Sequence, residues 1–134
     1  GYVGLDFVRE AEDAQSALLS AMDDVQRALP GAVLVEAGPD FVGLTDVAAV
    51  VGLSRQNMRK LMVGHHQQFP APVHSGNPSV WHLAQVLEFL QKRQYAFPQA
   101  VLDVAHTAMQ INIAKEQPLL DQRLATRIRQ RLHA

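Results

Sequence analysis

The run LTDVAAVVGLSRQNMRKLM, residues 44–62, restricts the fold more than any other stretch of the chain. Apolar residues recur at helical spacing on both sides of Gly52-Leu53-Ser54. Two short helices that cross steeply need a small residue at the crossing, and Ala48 supplies it. The turn needs a residue that tolerates left-handed backbone, which is Gly52. Val47, Val51, Leu53, Met58 and Leu61 can lock the pair together, and Ser54 can cap the second helix as Thr45 can the first. These demands are met in one register, so the run is expected to form a helix-turn-helix.

Locking the second helix through Met58 and Leu61 leaves its other face to Arg55, Gln56, Asn57, Arg59 and Lys60. Arginine pairs with guanine through two hydrogen bonds, glutamine and asparagine pair with adenine, and lysine serves bases or phosphate. The N-terminal part of such a helix points into the major groove. Arg55, Gln56 and Arg59 are therefore expected to reach base edges, with Asn57 beside them and Ser54 and Lys60 holding phosphate. The competing reading is a plain helix pair with a solvated polar face.

The net charge of −1 is unlike that of a typical nucleic-acid binder. Its distribution is uneven. Residues 1–42 carry two arginines against eight carboxylates, a net of −6. Residues 43–95 come to +3 and residues 96–134 to +2. Phosphate responds to charge within a Debye length, roughly 8 Å in physiological salt, so the local excess matters more than the sum.

Three segments follow: an acidic unit at 1–42, a DNA-binding domain at 43–95 and a C-terminal helical segment at 96–134. In the first, Val3, Leu5 and Phe7 alternate along a strand expected over Tyr2–Val8. Ala14, Leu18, Met22, Val25 and Leu29 mark an amphipathic helix from Ala11 to Leu29, ended by Pro30-Gly31. Ala32–Glu36 reads as a second strand. Two strands bury too little on their own, so this strand-helix-strand unit either pairs with another copy or has further strands before Gly1. The chain opens on Gly1 rather than Met, which fits a trimmed start.

In the middle segment, Ser75-Gly76-Asn77-Pro78 is a turn between short strands at Val73-His74 and Val80-Trp81, forming a small hairpin or wing. Trp81 is expected to anchor the wing in the core rather than to stack on a base. Leu83–Gln94 is a helix with Leu83, Val86, Leu87 and Leu90 inward. Pro98 opens another, with Val101, Val104, Ala105, Ala108 and Ile111 or Asn112 on one side. After Pro118 a last helix carries Leu120, Leu124 and Ile128.

The helix pair, the FPAPV bend (Phe69-Pro70-Ala71-Pro72), the hairpin from His74 to Val80, and WHLAQVLEFL with Trp81 and Phe89-Leu90 together resemble the winged helix-turn-helix of the MerR superfamily. The style is closest to its phage-type AlpA and excisionase branch, and the likeness spans residues 43–92. It implies sequence-specific duplex binding by a transcriptional regulator, with the recognition helix in the major groove and the wing beside it. The wing of that branch usually carries Arg or Lys. Here it reads His-Ser-Gly-Asn-Pro-Ser, which limits its contacts to Ser75, Asn77, Ser79 and backbone N–H groups. The long effector-binding coiled coil of full MerR activators is not evident, and the acidic front lies outside the family pattern.

Other patterns carry less. The chain has no cysteine, which excludes disulfides and thiolate metal sites and fits a cytoplasmic, nucleoid-associated protein. No signal peptide or membrane span is visible. His65, His66 and His74 lack a third ligand type nearby, so no metal is expected. Arg123, Arg127, Arg129 and Arg131 form either a solvated face, a second phosphate track, or a surface for the acidic front of the same or a partner chain. No nucleophile motif or phosphate loop is present, and Ser16 and Ser20 read as helix residues, so neither catalysis nor a cofactor is expected.

The expected fold is mainly α with short β elements, a winged helix-turn-helix core between the strand-helix-strand unit and the C-terminal helices. The expected function is sequence-specific binding of double-stranded DNA by a homodimeric regulator, most simply a repressor. One helix-turn-helix buries little surface, and pairing two half-sites repairs that. The C-terminal helices are the preferred dimer surface, with the front strands contributing. An excisionase-like architectural role, or a protein-interaction module working through the acidic front without DNA, are the alternatives.

Overall fold

The computed structural model of the chain describes residues 1–7 and 13–132. The described part is mainly helical, with one two-stranded antiparallel sheet. Six helices follow in order: α1 (Ala14–Ala28), α2 (Leu44–Val51), α3 (Arg55–Gly64), α4 (Leu83–Lys92), α5 (Gln99–Ala114) and α6 (Gln122–Leu132). A 3-10 turn at Gln117–Leu119 precedes α6. None of the described helices is long and apolar enough to cross a membrane.

The core gathers at the centre. Val47 of α2, Met58 of α3 and Leu83, Val86, Leu87 and Leu90 of α4 are fully buried. Leu102, Ala105 and Met109 of α5 join the same cluster. The inward residues expected for α4 are the ones buried. Val51, Leu53 and Leu61 pack against the cluster from its edge.

The sheet joins β1 (Phe41–Val42) to β2 (Trp81–His82), with Phe41 opposite His82 and Val42 opposite Trp81. This corrects the expected strand pattern. Tyr2–Phe7 and Ala32–Glu36 are not strands, and neither pairs with anything as a ladder. The strand-helix-strand unit is therefore only a helix with extended flanks. Alternation alone cannot make a strand when no neighbour takes up its N–H and C=O groups. Val8, Ala11 and Glu12 lie outside the described residues, and α1 begins after Asp13, whose Oδ1 accepts from the Ser16 N–H at 2.7 Å.

The hairpin also differs. His74 and Val80 form a single antiparallel bridge, while Trp81 belongs to the strand that meets Val42. Trp81 is buried, as expected, edge-on to Phe69, and its Nε1–H donates to the Pro70 carbonyl at 3.0 Å. The Phe-Pro bend is thus tied to the strand that follows the hairpin.

A buried polar knot holds the acidic front to the centre. Asp40 is 1% exposed. Its Oδ1 lies 2.7 Å from His82 Nδ1, and its Oδ2 accepts from Asn112 Nδ2 at 2.9 Å. Asn112 also binds both the N–H and the C=O of Ala37, each at 2.8 Å. The Leu83 N–H donates to the Asp40 carbonyl at 2.7 Å. One carboxylate and one amide thereby connect the segment before β1, the start of α4 and the far end of α5, with each buried polar atom paired.

Candidate nucleic-acid interface

The turn between α2 and α3 fixes the direction of α3. Gly52 sits at φ +72°, in the left-handed region that a side chain disfavours. The N–H groups of Gly52 and Leu53 both return to the Ala48 carbonyl, closing α2. Ala48 is buried there, as the crossing requires. Ser54 then caps α3, its hydroxyl accepting from the Asn57 N–H at 3.1 Å. The cap of α2 is corrected: Gly43 occupies that position and its N–H donates to Asp46 Oδ2 at 3.0 Å, while Thr45 lies inside the first turn. Asp46 reaches back where Thr45 was expected to reach forward.

Met58 is the buried anchor of α3. With Leu61 and Met62 packed on the same side, Ser54, Arg55, Gln56, Asn57, Arg59 and Lys60 all stand exposed. At about 100° per residue, Gln56 and Lys60 point most directly away from Met58, with Arg55 and Arg59 on one flank and Asn57 on the other. Among the described residues, the ion pairs are Arg27 with Asp24, His82 with Asp40, and Lys115 with Glu116. None of these engages Arg55, Arg59 or Lys60, so the three cations of α3 are not committed to a carboxylate of their own chain.

Val63 was passed over in the sequence. It is 60% exposed and follows Arg59 and Lys60 by one turn, placing an apolar side chain on the outward face. The i+4 step from Arg59 was the available signal. An exposed apolar group there suits a thymine methyl.

The hairpin presents less. Ser75 and Asn77 are exposed at its turn. Ser79 is occupied within the turn: its hydroxyl accepts from the Gly76 N–H at 3.2 Å and donates to the Gly76 carbonyl at 3.0 Å. The expected contact by Ser79 is therefore corrected to an internal brace. The His74 ring lies over Gly76, where a Cβ would come within 2.7 Å of Nε2. Behind the hairpin, Phe69 packs against Trp81 and Phe89, and His65, the cap residue of α3, faces Phe89. Arg93 rests over the Phe89 ring at 4.8 Å. One aromatic cluster thus anchors the end of α3, the Phe69 bend and the root of the hairpin.

The structure brings Ser54, Arg55, Gln56, Asn57, Arg59 and Lys60 together on one exposed helix. Ser75 and Asn77 are on a separate turn. The aromatic cluster, which no single periodicity announced, braces both. No family model, no curated protein and no solved structure matches the chain.

Proposed function

We propose that the chain binds double-stranded DNA in a sequence-specific manner, as a transcriptional regulator of the repressor type. In this reading α2 and α3 are a helix-turn-helix, α3 lies in the major groove, and the His74–Val80 hairpin is a short wing. The observation that carries it is the exposed face of α3, where Arg55, Gln56, Asn57, Arg59 and Lys60 stand without ion-pair partners on a helix pinned from behind by Met58. Fixed donors on a rigid element suit base-edge readout, and Lys60 and the capped N-terminus near Ser54 suit phosphate. The likeness to the MerR superfamily supports the same use of these residues. The uncharged wing shifts specificity onto α3, leaving Ser75 and Asn77 to bind backbone oxygens. Two copies would present two such helices to adjacent half-sites.

Selection of bound sequences from a random duplex pool gives the motif, and its symmetry gives the number of α3 helices engaged. A short palindrome supports the regulator, whereas phased tandem sites with bending would indicate the excisionase type. Replacing Arg55 and Arg59 together by alanine should lower specific affinity by about 100-fold at fixed salt, since each bidentate pair contributes on the order of 1–3 kcal/mol. Unchanged affinity for the selected duplex would rule out this interface.

A further inference from the structure

The two ends of the chain carry apolar stripes that its own elements leave in solvent. Leu120, Leu124, Ile128 and Leu132 recur at every fourth position, and the first three are 43%, 52% and 44% exposed. On α6 the only buried residue is Ala125, and no helix or strand packs along it. An 11-residue helix is marginal in water without such a partner. Its charges are all positive: Arg123, Arg127, Arg129 and Arg131, with no acid between Gln122 and Leu132.

The other stripe is on α1. None of its residues is buried, although it packs against α5. Leu19, Met22 and Leu29 are exposed, beside Asp23 and Asp24, and the exposed Val33, Leu34 and Val35 continue the apolar surface. The lengths agree. At 1.5 Å per residue, Leu19 to Leu29 extends about 15 Å and Leu120 to Leu132 about 18 Å.

We propose that α6 of one copy of this chain seats on α1 of a second copy, and the reverse, closing a two-fold homodimer through two α6–α1 contacts. Charge decides between the pairings. Two α6 helices face to face would oppose arginine to arginine, and two α1 helices would oppose acid to acid, whereas α6 on α1 joins an all-cationic helix to an acidic one. Reciprocal contacts use both stripes of both copies and leave none open to a third. The pairing deepens the DNA reading by supplying its second α3, but it rests on α1 and α6 alone and stands or falls without DNA.

The test uses the full chain in sedimentation equilibrium across a concentration series. The dimer is expected, and Arg123→Glu with Arg127→Glu should weaken it by about tenfold or more, as should Asp23→Lys with Asp24→Lys. All four changes in one chain should restore it, because the opposite charges face each other again. Far-UV spectra confirm that each variant is folded, and hydrogen exchange in α6 should slow as protein concentration rises. Four results would overturn the proposal. One is a monomer at about 100 μM, a range in which a regulatory dimer must already form. Another is failure of the combined variant to dimerise. A third is a mixture of native and α6-reversed chains that pairs more tightly than the native chain, which indicates α6 on α6. The last is a monomer whose α6 becomes protected only on phosphatidylserine vesicles, which makes it a membrane-surface helix.

Discussion

The centre of the molecule and its two ends are built from equally apolar helices but meet opposite fates. In α4, Leu83, Val86, Leu87 and Leu90 lose all contact with solvent. In α6, Leu124 and Ile128 follow the same four-residue rhythm and stay about half exposed. α1 resembles α6, with Leu18 and Val25 partly covered by α5 while Met22 and Leu29 face outward. The difference lies in the neighbours. Elements α2 to α5 wrap around one another, whereas α6 has no element along it. An apolar stripe states that a helix needs a cover. It does not state that the same chain provides one.

The sharpest way to probe that contrast is to remove one leucine from each region. Leu87→Ala opens a cavity in a closed core and should cost about 3 kcal/mol in urea unfolding. Leu124→Ala, measured where the chain is monomeric, should change stability by less than about 0.5 kcal/mol. A comparable loss at Leu124 would mean that α6 is already covered within one chain, and the contrast would collapse. A smaller effect is expected at the join between front and centre. Asn112→Ala leaves Asp40 Oδ2 and both polar atoms of Ala37 without that partner, and should cost about 2 kcal/mol. It should also raise hydrogen exchange at Ala37 before that of α4 changes. Uniform acceleration across α4 would instead make the knot part of the core.

The smallest effect belongs to the start of α1. The Ser16 N–H bonded to the Asp13 carboxylate, aided by the Ser16 side chain, holds that carboxyl below its ordinary value of 3.8. A depressed folded value means that the cap contributes fully above 3.8 and is lost as pH falls through the lower folded value. The Ser16 amide resonance should therefore titrate below 3.8, and Asp13→Asn should abolish that step. A midpoint at or above 3.8 would show that the cap does not hold in solution.

Much of the centre was legible from local chemistry. Gly52 marked the turn and Ser54 the cap, and Met58 fixed which side of α3 faces outward. These signals act over a few residues, so one sequence displays them. Pairings between distant segments were hidden. Trp81 was read as the second arm of the hairpin because Val73-His74 is near, but its strand partner Val42 lies across the whole helix pair. Val3, Leu5 and Phe7 alternated as a strand does, and the partner that alternation presupposes is not there. Asn112 was one of two residues offered for the inner face of α5. A polar group in an apolar stripe hinted at the knot, but its partners Asp40 and Ala37 are 72 and 75 residues away. For the interface, helix and side chains were visible, whereas the Ser79 brace and the bracing aromatics needed three dimensions.

The same knot sets an order of assembly. Loop closure over so many residues has to be offset by contacts formed elsewhere, so Asp40 and Asn112 meet late, after the near-neighbour packing of α2 on α3 and of α4 on α5. The face of α3 therefore matures early, while the acidic front is fastened in the final step. A chain emerging from the ribosome would have its helix pair in place before Asn112 is available to secure Ala37. Pulse-labelling hydrogen exchange during refolding should find the Met58 amide protected ahead of the Ala37 amide.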